Sequence, residues 1–268
     1  MEYAGKLMMK NWFSFVLLGA MGIGISVVSA LLYAQIKYAG GSTVLSALGD
    51  KDVLTAIWLS FYISITAAVL AAFISIPLGY ALSRWRFRGK FIIEGMLVIP
   101  ILMSPMALGV SLLLVFRTPM GQFIEDHIMR FVFETPGMIL AQFIVAMSLE
   151  TLIARSAFDN VNVRLEQVAR FLGSTPFQTF RYVTLPLARN GLFTALILGW
   201  ARAIGDFGAT SMIAGAVKGK TETMPVSIYL NMSSVSLDRA VSLSIVLTLF
   251  TVLALAGAHL LSPKEEEL

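Results

Sequence analysis

Six stretches of this sequence carry almost no charge, and a chain built from such stretches has few ways to fold. Residues 11–36 lie between Lys10 and Lys37, 53–83 between Asp52 and Arg84, and 92–116 hold only Glu94 before Arg117. Residues 137–155 carry Glu150 and Arg155 near their end, 190–214 enclose Arg202 and Asp206, and 240–262 precede Lys264. A helix that crosses a bilayer needs about 20 mostly apolar residues, so each run is long enough or nearly so. The composition agrees. Charged residues make up 13% of the chain and mean hydropathy is +0.80, against roughly 25% charge in a soluble domain. So few charges cannot cover a water-facing surface. The expected fold class is an all-α integral membrane protein with six transmembrane helices in one domain over residues 1–268. The fourth run is the shortest and the fifth the most charged. The first follows Lys6 and Lys10 like the start of a signal peptide, but it exceeds the 7–15 apolar residues of such a segment, so a retained span is expected.

The basic residues set an orientation. With the N-terminus taken as cytoplasmic, twelve of the 20 Lys and Arg fall on the cytoplasmic side, seven on the other, and Arg202 within a span. The tight turn Arg84-Trp85-Arg86-Phe87-Arg88-Gly89-Lys90 is the strongest local signal. The positive-inside rule therefore places both termini in the cytoplasm of a cell (inner or plasma) membrane. A pI near 9.4 reflects this topology rather than nucleic-acid binding. There is no cysteine and only two histidines, His127 and His259, which leaves no disulfide, no iron–sulfur cluster, no cysteine nucleophile and little basis for a metal site.

One cytoplasmic loop, residues 156–189, differs from the rest. Apolar residues at helical spacing open at Asn162 and run through Val163, Leu165, Val168, Ala169, Phe171 and Leu172 to Gly173, a residue suited to a left-handed helix end. Ser174 or Thr175 can cap a second helix with Pro176 in its first turn. That helix carries Phe177, Phe180 and Val183 and is expected to end before Leu185-Pro186. The result would be a two-helix knob with apolar faces. It either lies on the membrane surface or docks a soluble partner, since anchors at i, i+3 and i+4 are how a helix fits a groove.

The loop also resembles a known signature. Permease subunits of ATP-binding-cassette importers carry E-A-A, three residues, G, nine residues, I, one residue, L-P. Here Gln167-Val168-Ala169 stands at E-A-A, Gly173 follows at the right distance, and Val183-Thr184-Leu185-Pro186 completes the pattern. Gln replaces Glu, with Glu166 one place earlier, and Val replaces Ile. Over residues 50–260 further segments are similar to the family. Pro77–Arg84 looks like the end of its second core span, while Ile99–Gly109, Arg202–Thr210 and Thr223–Tyr229 look like its oxyanion-importing branch, which usually has Glu where Asp206 stands. The resemblance implies a permease for molybdate or tungstate, with sulfate or thiosulfate as the alternative.

The family resemblance implies partners as well: a second copy forming the pore as a homodimer, two ATPase subunits that hold the ATP and Mg, an external substrate-binding protein and the lipid bilayer. No cofactor is expected on this chain, and no nucleic acid. The residues implied to meet the ATPase are Glu166, Gln167, Val168, Ala169, Gly173, Ser174, Thr175, Pro176, Phe177, Phe180, Leu185 and Pro186, with Phe177 and Phe180 as anchors.

No catalytic set is visible, so an enzyme is not expected. Gly215-Ala216-Val217-Lys218-Gly219-Lys220-Thr221 approaches a phosphate loop but has three residues where that motif needs four. Arg202 and Asp206 lie four apart on one helical face, inside an apolar run where charge is costly and faces a bundle interior or a water-filled path. They form a mutually neutralising pair, a station for a passing oxyanion, or a gate. Gly199, Gly205 and Gly208 permit close helix approach. Pro100 and Pro105 free backbone carbonyls and predict a kink, beside the path or within the packing. The rival class is a self-contained secondary transporter or channel. It would need titratable groups for ion coupling, and this chain offers few.

Overall fold

The computed structural model describes residues 2–234 and 236–261, with side chains over 14–38, 49–234 and 236–257. His259, Lys264 and the acidic residues Glu265–Glu267 lie outside those side-chain ranges. Among the described residues there is helix and no strand.

Helix α1 (Glu2–Leu48) stands at one edge, and its apolar stretch Ser14–Tyr38 is unburied. It meets the rest through the last helix, α12 (Leu237–Leu261), where Gln35 Nε2 donates to Ser244 Oγ at 3.3 Å. The centre is α2 (Lys51–Arg84) lying beside α6 (Thr135–Asp159) in the same direction. Three contacts fix their register. Ser75 Oγ donates to the Met147 carbonyl at 3.0 Å, Gly79 lies on Ala154, and Ser83 Oγ donates to Asp159 Oδ1 at 2.5 Å. Most of the buried face of α2 is small, with Ala56, Ser60, Ser64, Ala67, Ala71, Ser75 and Gly79, and Val53, Ile63 and Leu82 are its larger members. In lipid the outside is as apolar as the inside, so close packing of small side chains drives helix association. The serine hydroxyls of Ser60 and Ser64 are satisfied by carbonyls of their own helix.

Four helices, α1, α2, α6 and α12, are each long and apolar enough to cross a membrane; two bent helix pairs, each taken as one crossing, bring the number to six. The third expected span, 92–116, is the first of these pairs. It divides into α3 (Lys90–Leu102) and α4 (Pro105–Arg117), which turn by 113°. Pro100 sits inside α3 without breaking it. The break comes at Met103 and Ser104, both extended (ψ 143° and 135°), because the ring of Pro105 disfavours helical backbone in the residue before it. Between α4 and α6 lies a short helix not expected from the sequence, α5 (Pro119–His127).

Beyond α6 come α7 (Val163–Phe171) and the single turn α8 (Pro176–Thr179). The second knob helix does not stop before Leu185-Pro186 as its pattern suggested. It passes through a π-type turn, Phe180–Thr184, directly into α9 (Leu185–Ile204). The amide of Leu185 reaches back five residues to Phe180. Pro186 has no amide to offer the next carbonyl, and the widened turn takes up that defect without ending the helix. α9 runs antiparallel to α6, with Gly191 on Ala157 and Gly199 on Glu150. It breaks at Gly205–Phe207 into α10 (Gly208–Ala214), bent by 57°.

After α10 the chain does not simply cross to α12. Thr221, Glu222 and Thr223 are buried, and the Met224 amide donates to Ser60 Oγ at 2.7 Å. Ser60 lies nine residues into α2, roughly 14 Å along its axis at 1.5 Å per residue. The segment therefore dips into the bundle before α11 (Met224–Ser233) leads out again. Ion pairs tie this end together: Lys218 to Asp52 at 3.8 Å, Arg239 to Asp50 at 3.1 Å, and Lys220 to Glu134.

Candidate functional site

The knob is built by local rules. Asn162 caps α7, its side chain accepting from the Arg164 amide at 3.0 Å. Gly173 takes φ +91°, a left-handed angle that L side chains adopt only at a cost. Thr175, rather than Ser174, is the second cap. It forms a reciprocal capping box with Gln178 (2.8 and 3.2 Å), and Pro176 occupies the first helical turn.

This frame exposes a patch of large apolar side chains. Phe171 is 90%, Leu172 82% and Phe177 70% exposed, and Val168 and Tyr182 are exposed as well. Phe180 is not one of the exposed aromatics. It turns inward against Tyr80 (ring centroids 4.7 Å apart) and near Phe158 (6.1 Å), part of a cluster with Ala154, Val161, Ala188 and Leu192. Of the two expected anchors, only Phe177 is presented to solvent, because Phe180, three residues on, falls on the side of the turn that meets Tyr80 and Phe158. Gln167, Ser174, Pro176 and Pro186 are at the surface or half-buried, as are Ala169 and Leu185.

Glu166 behaves differently from its neighbour Gln167. It is buried, and its Oε1 accepts from Arg84 Nε at 2.9 Å and from Thr184 Oγ1 at 2.8 Å. Arg84, read from sequence as part of a basic turn, therefore binds an acid 82 positions away. Its other nitrogens donate to the Val161 carbonyl at 2.9 Å and to Ser83 Oγ at 3.0 Å. Beside it, Arg155 pairs with Glu94 at 2.9 Å and with Asp159 at 3.6 Å. The ends of α2, α3, α6 and α7 are thus cross-linked by charge.

A second cluster lies where α9 breaks. Asp206 is buried; its Oδ2 accepts from the Thr210 amide and hydroxyl, each at 2.9 Å, which caps the first turn of α10. Arg202 Nη1 is 3.7 Å from Asp206 Oδ1, and the arginine side chain stays 37% exposed. The pair is asymmetric: the acid is spent on the fold, while the arginine side chain keeps part of its surface open. Pro105 approaches this corner. A Cβ at Gly208 would stand 2.8 Å from Pro105 Cβ, and one at Gly109 would stand 2.6 Å from Met212 Cβ. Pro100 lies inside α3, on the other side of the 113° bend from Pro105. Glu150, near a span end by sequence, is enclosed against Gly199 with no hydrogen-bond partner for either oxygen. No group of three or more metal-ligating residues occurs among the described residues.

Residues 75–266 match the family described as the binding-protein-dependent transport system inner membrane component. The chain belongs to that family. It is a permease subunit of ATP-binding-cassette importers, a multi-pass inner membrane protein and not itself an enzyme. The permease is 35% identical over 235 residues to a probable molybdenum ABC transporter permease protein of Haloferax volcanii, covering 87% of this chain and 83% of that one. It is 32% identical over 202 residues to a probable transport system permease, NifC, of Clostridium pasteurianum (74% and 70% covered). To the sulfate transport permease CysW of Escherichia coli it is 30% identical over 254 residues (91% and 86% covered). Its fold is that of a solved bacterial ABC transporter for alginate import (TM-score 0.76, 15% identity, 98% and 99% covered) and of the MetNI methionine transporter (TM-score 0.62, 17% identity, 78% and 94% covered).

Proposed function

We propose that this permease forms, as a homodimer, the pathway of an importer for molybdate or tungstate, driven by two ATPase subunits docked on its knobs. The observation that carries the docking is the apolar patch of Phe171, Leu172 and Phe177, exposed on helices whose frame is fixed by a buried ion pair. A monomeric soluble surface seldom shows such a patch without a partner. An external binding protein delivers the anion. Both termini lie in the cytoplasm, on the side of Arg84–Lys90. Glu166, expected at the ATPase interface, acts from inside the knob instead, while Gln167, Val168, Phe177 and the turn at Gly173 and Thr175 face the partner.

Arg202 serves the path. Its partly exposed side chain offers one positive station to a tetrahedral dianion, with Asp206 Oδ1 3.7 Å from Nη1 as its counter-charge. One station is enough for passage, since a pore that bound its anion tightly would release it slowly. Selection then rests with the binding protein. The 35% identity to a molybdenum permease supports the anion; the 30% identity to a sulfate permease over more of the chain keeps sulfate as the second reading.

The test is reconstitution of the permease with its ATPase and binding protein in proteoliposomes, measuring ATP-dependent uptake of molybdate, tungstate and sulfate. Saturable uptake of molybdate or tungstate, with sulfate excluded, is the expected result. Sulfate uptake alone moves the chain to the second reading. Transport by the permease without ATP would overturn the assignment.

A further inference from the structure

Arg84 uses all three guanidinium nitrogens on three different segments. Nε holds Glu166 of α7, Nη2 the Val161 carbonyl between α6 and α7, and Nη1 the Ser83 hydroxyl, which in turn donates to Asp159 at the end of α6. Glu166 adds Thr184, the last residue of the π-type turn, to the same oxygen. The site is enclosed: the side chains of Arg84 and Glu166 are 10% and 5% exposed, and Thr184 is fully buried. Charge-assisted bonds in such surroundings are short, directional and strong. Arg170 of α7 also hydrogen-bonds the Tyr80 side chain of α2, but of the ion pairs described between the knob and α2, Arg84–Glu166 is the buried one. The aromatic contacts of Phe180 with Tyr80 and Phe158 are apolar and can slide; a forked guanidinium cannot.

We propose that Arg84 is the positioning residue that joins the knob to the membrane bundle, so that displacement of α7 and the π-type turn by the ATPase is delivered to the paired helices α2 and α6 through the Arg84–Glu166–Thr184 joint. The inference rests on the reading that the knob docks the ATPase. It assigns Glu166 to transmission rather than to docking. Lysine cannot replace Arg84, because its ammonium is a point charge without the planar fork. Thr184 offers the least invasive probe: valine has its shape without the hydroxyl, and serine keeps the hydroxyl.

The experiment uses the whole complex, purified with ATPase and binding protein and reconstituted, with the anion that the wild type carries among molybdate, tungstate and sulfate. ATPase stoichiometry, ATP hydrolysis and anion uptake are measured for Thr184→Ser, Thr184→Val and Arg84→Lys. Thr184→Ser should match the wild type. Thr184→Val and Arg84→Lys should keep the ATPase bound and hydrolysing while uptake per ATP falls about fivefold or more, the lower edge of ordinary site-to-site coupling. Wild-type uptake per ATP in both variants overturns the joint. So does loss of the ATPase or of the folded complex in Thr184→Val, which would make the hydroxyl a structural support, and so does an equal loss in Thr184→Ser. Phe177→Asp separates the two ideas: it should shed the ATPase, and if it assembles and couples normally the docking reading itself fails.

Discussion

Replacing Gly208 by alanine should loosen the seam where the two broken spans meet. The added Cβ would lie 2.8 Å from Pro105 Cβ and 2.9 Å from the Met106 amide nitrogen. Carbon atoms pack at about 3.5–4.0 Å, so α10 and α4 must part by roughly 0.7–1.2 Å. Both obstacles sit on backbone or on a rigid ring, and neither can rotate away. Overpacking of this kind costs about 1–3 kcal/mol. Gly109→Ala attacks the same seam from the other side, with a Cβ 2.6 Å from Met212 Cβ and 2.8 Å from the Ala209 carbonyl. Once one alanine has opened the seam the second meets less resistance, so the double variant should cost clearly less than the sum. The assay is thermal unfolding of the purified permease in nanodiscs. At about 2–4 °C per kcal/mol for a chain near this size, each single variant should lose about 2–12 °C. Gly95→Ala is the control, since nothing lies within 4 Å of a Cβ there; it should match or slightly exceed the wild type. Single variants within about 1 °C of the wild type, or strictly additive losses, would refute the claim that α4 and α10 form one close-packed unit.

Gly173 has φ +91° and open space around a Cβ, so its requirement is backbone alone. Gly173→Asn should keep the ATPase bound, whereas Gly173→Val should strain the corner by about 1–2 kcal/mol and lower ATPase co-purification; equal behaviour of the two would remove the conformational argument. Arg202→Ala should cut anion uptake far more than membrane expression, measured in the same vesicles, and matched losses would make the residue structural only. Asp206→Ala should lower stability as well, by about 0.5–2 kcal/mol for a lost helix cap, read as a drop in Tm; an unchanged Tm would mean that the bonds to Thr210 are dispensable.

The six apolar runs, the knob, its left-handed corner and its capped second helix were legible in the sequence because each depends on neighbours a few residues away. The unforeseen features depend on distant partners. Pro105 announced a kink, but not its 113° size or the packing of α4 on α10 across Gly109 and Gly208. Phe177 and Phe180 share one helical pattern, yet the second is covered by Tyr80 and Phe158, partners distant in sequence; the π-type turn that follows it answers the missing amide of Pro186, six residues beyond Phe180. The basic turn at Arg84 had a sufficient topological explanation, which hid its pairing with Glu166.

A physical reason lies behind the hidden faces. In a soluble helix polarity marks the surface and a 3.6-residue period reveals the core. In a bilayer the exposed side is apolar too, so Leu70, Phe73 and Ile74 face out of α2 while Ala67, Ala71 and Ser75 face in. The buried face is marked by size, not polarity. Read that way, the spacing Ser60, Ser64, Ala67, Ala71, Ser75, Gly79 advances by three or four residues throughout and traces the seam that α6 covers. The same rule explains why Gly199 and Gly208 matter to the fold while Gly19, Gly22 and Gly24 of α1 have nothing within 4 Å of a Cβ among the described residues. A glycine in a membrane helix is thus informative only once a neighbour is known to approach it, and that knowledge comes from tertiary structure.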